Sequence, residues 1–414
     1  MSPRLFVAVA ILLGLTYVFV TPPFAVPDED NHFWRALAVG RGHLLATRGL
    51  DSMPMPKAVE DFTWVIERTM PEETLPQKLR TAAALRHDGR IGRPIRFAEW
   101  YSPFPYAATA LVAALPVRPV IVFYGGRIAN LLLAVLLTAL AMRAAPQYGS
   151  VFAAAALLPM SLYEFASLSA DAATIALAWL FAALLFSPPR RTSLVVLAGF
   201  ASGLCKPAYF LIVLLVFAMP FRWRQRMAIL AATAAGTLLS FAAAGRGAYN
   251  ARRGLPVDAG AQIRCIASDP IHFAHVVLHD VAVNGRFYIE EMIGRFGANE
   301  LKLSPVVITL EILLLLGVAV TCGAALRARV RITALAIVAM TAGGILLSQY
   351  MIWSVVCGDA LEGVQGRYFL EILPLFLAAI ALPQRRLRMN PWIVVAVTVI
   401  CNAMALLTLV HRYW

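Results

Sequence analysis

Apolar runs recur along almost the whole of this chain, and most approach the thickness of a lipid bilayer. They occupy residues 5–20, 127–142, 149–168, 172–186, 194–205, 208–219, 227–244, 306–326, 332–351, 368–382 and 392–410. A hydrocarbon core about 30 Å thick takes about 20 residues of α-helix to cross, and a backbone in lipid must satisfy its own polar groups. Strands of a membrane barrel alternate apolar and polar positions; the stretch 131–140 shows no such alternation. Composition agrees: 60% of residues are hydrophobic and 14% charged, against about 45–50% and about 25% in soluble domains. The sequence therefore predicts an all-α integral membrane protein with about eleven transmembrane helices.

Charge sets the predicted topology. The first run lies behind Arg4 and is followed by Thr21-Pro22-Pro23 rather than a small-residue cleavage site, so it reads as a retained span. The stretch 104–117 is short for a span and is read as non-crossing, and 194–219 as two short helices broken at Lys206-Pro207. One set of helix ends then carries Arg4, Arg143, Arg190, Arg191, Arg222, Arg224, Arg226, Arg327, Arg329, Arg331, Arg385, Arg386 and Arg388, with no acid among them, which matches the formal net charge of +13. Cytoplasmic loops retain Lys and Arg. The expectation is an N-terminus inside, a C-terminus outside, and two large outer loops over 21–103 and 245–304. The basic excess is a topogenic fringe and implies no nucleic acid. The five cysteines form no metal-ligand spacing, and no phosphate-cradling glycine motif occurs.

Candidate chemistry gathers on the outer side. Three acids, a histidine and an arginine crowd into the stretch from Asp28 to Arg35. Asp28 and His32 are four apart, and His32 and Arg35 three apart, a spacing that sets them on one helical face. An Asp after Pro27 is also an ordinary helix N-cap. The residues leave both readings open: a cap, or a carboxylate poised to take a proton from a hydroxyl, with His32 and Arg35 orienting it. Asp171 poses the same choice before the next run, and Glu164, two turns deeper, is an acid within the membrane, a functional candidate or a hydrogen-bonded bundle residue. Arg127, Lys206 and Arg367 each sit at the outer end of a run, where a cation snorkels to the interface or joins others in a phosphate clamp. Cys265 and Cys357 fall in outer loops, as a disulfide or as two thiols. Residues 269–292 read as an amphipathic helix near the surface.

Six segments occur in a recognisable order. They are Pro22-Pro23-x-x-x-Pro27-Asp28-Glu29-x-x-His32-x-x-Arg35; Tyr101-Ser102-Pro103; Gly126-Arg127-Ile128-Ala129-Asn130; Leu158-Pro159-Met160 leading to Ser169-Ala170-Asp171; Leu204-Cys205-Lys206-Pro207; and Gln365-Gly366-Arg367-Tyr368. The series spans nearly the whole chain and resembles the bacterial membrane-protein family known as domain of unknown function 2142. That family looks like a branch of the GT-C glycosyltransferases. The chain departs from the pattern at Ala298-Asn299-Glu300, where an aromatic, aspartate-bearing turn is expected.

The resemblance implies one GT-C-like domain over 1–414, in a bacterial cytoplasmic (inner) membrane, with interfacial helices in the first outer loop and a site facing away from the cytoplasm. The implied donor is a polyprenyl-phosphate-linked sugar, and the acceptor a cell-envelope glycan or lipid. Asp28 or Glu29 would be the base, with His32 beside it. Arg35, Arg127, Asp171, Lys206, Gln365, Arg367 and Tyr368 would contact the substrate or its phosphate. No cofactor is called for, and a divalent metal between Asp28 and Asp171 is not favoured. A flippase for a lipid-linked saccharide would use the same residues, but should show inverted repeats, which the sequence does not. A non-catalytic assembly protein would use Asp28 only as a cap.

Overall fold

The computed structural model describes residues 1–45, 53–68, 73–95, 101–187, 192–244, 257–322, 325–382 and 389–414. Arg190, Arg191, Arg385, Arg386 and Arg388 of the basic fringe lie outside the described residues, as does part of the 245–304 loop. The chain begins with α1 (Pro3–Val20) and α2 (Glu29–Gly40). Then β1 (Met53–Pro56), α3 (Lys57–Glu67), α4 (Leu75–Ala84) and β2 (Ile91–Ile95) form a small unit in which the strands pair antiparallel. α5 (Ala107–Ala113), α6 (Pro119–Ala144), α7 (Gly149–Ala156), α8 (Pro159–Phe165), α9 (Asp171–Phe186) and α10 (Thr192–Cys205) follow. A 3₁₀ stretch, Pro207–Phe217, leads to α11 (Trp223–Ala243), α12 (Ala259–Ser268) and α13 (Pro270–Gly294). A two-residue hairpin, β3 (Arg295–Phe296) and β4 (Leu301–Lys302), precedes α14 (Pro305–Thr321) and α15 (Ala328–Ile352). A second 3₁₀ stretch, Gly366–Ile372, runs into α16 (Leu373–Ile380), and α17 (Pro391–Tyr413) ends the chain.

Local chemistry fixes the helix starts. Ser2, Asp269, Ser304 and Asn390 each precede a proline, and each side chain accepts a backbone N–H from the helix it opens. Ser, Asp and Asn are good N-caps, and proline fits the first helical position, whose N–H has no partner in any case.

Among the described residues, five helices, α1, α6, α11, α15 and α17, are long and apolar enough to cross a membrane, and α9, α10 and α14 are shorter apolar helices. Several expected runs have a different form. The run 149–168 is not one helix but α7 and α8, broken before Pro159. Pro159 has no N–H to give the Ala155 carbonyl; the Ser161 hydroxyl donates to it instead at 2.7 Å, and the Asn402 amide donates to the Leu157 carbonyl at 2.9 Å. Buried side chains thus supply the bonds a proline removes. The expected break at Lys206-Pro207 is present, and the freed carbonyls of Leu204 and Cys205 accept from the Ser102 and Ser240 hydroxyls. The 11 residues after it form a 3₁₀ helix, which at about 2 Å rise per residue reaches as far as a longer α-helix. Helix α6 starts at Pro119, so Arg127 lies about two turns inside it rather than at its end.

The centre of the bundle is α7, α8 and α9, buried almost throughout. Alanines at 153–156, 172, 173, 176 and 178 let neighbouring backbones approach closely, the mode of packing that works where lipid offers no hydrophobic drive. Leu12, Leu136, Leu238, Leu313 and Leu407 stay exposed on the outside, as a lipid-facing surface requires. Helices α2 and α3 dock on α6 through Phe33, Phe62 and Phe123, whose ring centroids lie 5.4–5.9 Å apart. The helix ends sort by chemistry. The Met1 ammonium meets Ser150, Arg329 meets the Phe217 carbonyl and Arg331 the Ala381 carbonyl at one end. Trp414 bonds the Val20 carbonyl and Arg412 pairs with Glu300 at the other.

Candidate functional site

Helix α1 ends at Val20 with carbonyls that no helical N–H can reach. Arg127 reaches them from α6. Its NH1 donates to the carbonyls of Val18 (2.9 Å) and Thr21 (2.6 Å), its NH2 to the carbonyl of Pro22 (2.9 Å) and to Glu29 Oε2 (2.5 Å), and its Nε to Glu29 Oε1 (2.8 Å). These five bonds use all five donors of the guanidinium. Glu29 also accepts from the backbone N–H of Phe24 and of Leu168, and both side chains are 0% exposed. The sequence offered Glu29 as a base and Arg127 as a phosphate ligand. Their geometry instead makes them a buried clasp joining the end of α1, the start of α2 and the α8–α9 turn.

Asp28, one residue earlier, has a different environment. Its backbone is left-handed, with φ 60° and ψ 13°, and it stands at the N-cap position of α2 without making a side-chain cap bond. It is exposed, and among the described residues its carboxylate has no hydrogen-bond or ion-pair partner. A non-glycine residue in this region carries strain of order 1–3 kcal/mol, a cost that clusters at functional sites. The Asp28 carbonyl accepts the His32 backbone N–H at 3.0 Å, the first turn of α2. His32 is buried, and in its Nε2–H tautomer its Nδ1 accepts from the Tyr106 hydroxyl over 2.7 Å. Burial pushes the imidazole down to about 4, only partly countered by the negative charges of Asp171 and Asp28. Arg35 donates to the carbonyls of His43, Leu44 and Tyr101 and is 0% exposed. It holds the ends of the first loop together instead of orienting Asp28.

A second set of ion pairs lies deeper. Asp171 opens α9, where the helix dipole favours an acid, but its carboxylate does not cap the helix. It pairs with the Lys206 ammonium and lies 3.7 Å from Arg367 Nε. Arg367 NH1 donates to Glu164 Oε1 at 2.8 Å. Glu164 and Asp171 belong to separate helices, α8 and α9, and meet through Arg367 rather than along one helical face. The Lys206 ammonium lies 5.1 Å from the Tyr101 ring centroid and 5.3 Å from that of Tyr368. Among the described residues no three His, Cys, Asp or Glu side chains group as metal ligands. Asp171, one of the two acids considered for a cation, is already engaged by Lys206 and Arg367, so the donor set does not fit a metal.

Two spaces adjoin these charges. A small polar cavity of about 20 Å³, room for about one water, has Pro27, Tyr163, Glu164, Gln365 and Arg367 in its wall. An apolar groove of about 570 Å³ runs between α11 and α15 past Phe241, Ile345 and Ile352 to Lys206, Tyr101 and Tyr368. The 3₁₀ stretch from Gly366 separates the two. Gly366 itself is required by close approach: a Cβ there would lie 2.0 Å from the Tyr288 carbonyl oxygen. Its N–H donates to Glu291 Oε2 at 2.7 Å, and burial raises the Glu291 carboxyl against that bond. Cys265 and Cys357 form a disulfide with Cα atoms 5.8 Å apart, tying α12 to the loop that carries Gln365 and Arg367.

Of the residues singled out in the sequence, Lys206, Gln365, Arg367, Tyr368, Asp171 and His32 lie close to one another. Glu29, Arg35 and Arg127 form the frame around them. Sequence reasoning missed Glu291, Arg295 and Asn299. The paired acids Glu290-Glu291 on an otherwise apolar helical face were the available signal.

These features define an all-α membrane protein with a charged, buried site at one end of its bundle. The chain belongs to the family described as "Predicted membrane protein (DUF2142)", whose model matches residues 11–376. No curated protein and no solved structure matches it.

Proposed function

We propose that this protein is a membrane glycosyltransferase that moves a sugar from a polyprenyl-phosphate donor to a hydroxyl of a cell-envelope glycan or lipid acceptor. One observation carries the reading: an apolar groove suited to a lipid chain ends at Lys206, which pairs with Asp171, and Asp171 in turn lies against Arg367 in the wall of a separate polar cavity, where Pro27, the sequence neighbour of Asp28, also stands. The lipid chain lies in the groove, between helices. Its phosphate comes to Lys206, which gives one of its three N–H bonds to Asp171 and has two left. The acceptor oxygen attacks the anomeric carbon, and the bond from that carbon to the phosphate oxygen breaks. The electron pair leaves with the polyprenyl phosphate, and the acceptor proton passes to Asp28. Configuration inverts. The leaving group is stable as an anion, so the reaction needs no general acid; Lys206 and Arg367 stabilise the charge as it develops. His32, neutral at pH 7, packs beside Tyr101 and Tyr106 and shapes the wall without sharing the charge.

The full reading places eleven spans in a bacterial inner membrane, with the basic helix ends in the cytoplasm and the site outside. The Cys265–Cys357 disulfide supports that side, because disulfides persist in oxidising compartments.

The test is transfer from labelled polyprenyl-phospho-sugars by the reconstituted protein. Asp28→Asn is expected to cut the rate about 10²–10⁴-fold, the usual range for loss of a general base, with folding intact. Glu29→Gln is expected to lose stability first. Lipid-linked sugar crossing the bilayer with no transfer would favour a flippase and sink the enzyme reading.

A further inference from the structure

The small polar cavity has more hydrogen-bonding capacity in its wall than the protein itself uses. Glu164 Oε2, Gln365 Oε1, Arg367 Nε and Arg295 Nε are each buried without a hydrogen-bond partner, and all four residues line this one space. The side chains of Glu164 and Arg367 are 0% and 9% exposed. Buried polar atoms in folded proteins are nearly always satisfied, by protein or by ordered water. A water needs about 10–15 Å³ and two to four polar partners; the cavity offers about 20 Å³. Two of the four atoms are acceptors and two are donors. A water molecule donates twice and accepts twice, so one molecule answers all four.

Charge argues against an ion in the same space. A cation would meet the guanidinium groups of Arg367 and Arg295, and an anion the carboxylates of Glu164 and Glu291. Arg367 already pairs with Glu164 and lies against Asp171, and Arg295 pairs with Glu290. A neutral occupant leaves these pairs intact, whereas a buried charge without a partner is expensive.

The four residues come from separate parts of the fold. Glu164 is on α8 and Arg295 in β3, while Gln365 and Arg367 flank Gly366, whose N–H is fixed to Glu291 on α13. Arg367 NH1 is held by Glu164 Oε1 at 2.8 Å, and its Nε lies 3.7 Å from Asp171, the partner of Lys206. A bond at Nε sets the plane of the guanidinium, and with it the charge that Arg367 presents beside Lys206.

We propose that this cavity binds one ordered water, held by Glu164, Gln365, Arg295 and Arg367, and that Gln365 is a positioning residue that acts through this water to fix the Arg367 guanidinium between Glu164 and Asp171. The water site stands without the transferase reading; only its consequence for rate rests on that reading.

The test is cryo-electron microscopy of the full-length protein in lipid nanodiscs, at a resolution that shows ordered waters, beside transfer kinetics. The wild type is expected to show one density within about 2.7–3.2 Å of both Glu164 Oε2 and Gln365 Oε1. Gln365→Met keeps the side-chain length, removes the acceptor and breaks no ion pair. Its map reports directly that the fold is intact; the density should be lost and the Arg367 guanidinium should turn away from Asp171. In transfer from a labelled polyprenyl-phospho-sugar, kcat should fall about tenfold with KM within about twofold, the pattern of an interaction made in the transition state. No density in the wild-type cavity, or a Gln365→Met map with water and Arg367 unmoved, would overturn the proposal. Loss of the water with kcat unchanged would overturn the positioning role. The water in place, and lost in Gln365→Met, in a protein that transfers nothing from any lipid donor would uphold the site and remove the enzyme reading.

Discussion

Replacing Arg127 by methionine separates a frame residue from a substrate ligand. Methionine keeps much of the unbranched side chain but removes the guanidinium and all five of its hydrogen bonds. Glu29 is then left as a carboxylate at 0% exposure, with only the N–H groups of Phe24 and Leu168 to receive it, and the last carbonyls of α1 lose their caps. Removing one member of a buried ion pair costs about 3–5 kcal/mol. At about 1.4 kcal/mol per tenfold change, the folded-to-unfolded ratio falls by roughly two to three and a half decades. Lysine should fall between, since it restores the charge but offers three donors that cannot span both carboxylate oxygens and three carbonyls. The double change Glu29→Gln with Arg127→Met should recover part of the loss, because no unpaired charge stays buried. The assay is denaturant unfolding in mixed micelles followed by circular dichroism, alongside binding of polyprenyl phosphate. Wild-type stability in Arg127→Met, with binding lost, would refute the clasp and restore the phosphate role.

Other outcomes can be stated briefly. His32 is held near 4 in the fold against an ordinary 6.5, so the unfolded chain binds the extra proton between those values. Stability should therefore fall by roughly 3 kcal/mol as pH drops from 6.5 towards 4, and His32→Gln should flatten that window in an unfolding-versus-pH series. Mass spectrometry of the unfolded protein should find Cys205, Cys322 and Cys401 alkylated before reduction and all five cysteines after; the bridge closes a loop of 92 residues, worth about 4–5 kcal/mol in the chain-entropy account. Gly366→Ala should destabilise by about 3 kcal/mol, the upper part of the overpacking range. The atoms it meets, the Tyr288 carbonyl and the Met292 nitrogen, are backbone of α13 and cannot turn aside.

The sequence by itself settled the solvent in which this chain folds. Hydropathy and run length belong to contiguous residues, so they identify apolar helices, the break at Lys206-Pro207 and the surface helix after Asp269 without knowledge of any partner. The crowding of Asp28 to Arg35, and the cations at Lys206 and Arg367, were equally visible as charges in an apolar chain.

What each charge does was decided only in three dimensions. Glu29 and Arg127 are 98 residues apart, and Glu164 and Arg367 are 203 apart; no periodicity links positions so distant. Adjacent acids, Asp28 and Glu29, received opposite fates because one residue of left-handed backbone leaves the first exposed and turns the second into the bundle. The broken α7–α8 pair escaped notice for a similar reason: the hydropathy of 149–168 is unbroken, and whether Pro159 ends a helix depends on Ser161 and Asn402 accepting the cost. In a low-dielectric interior every charge must find a partner, and the tertiary packing alone determines which one it finds.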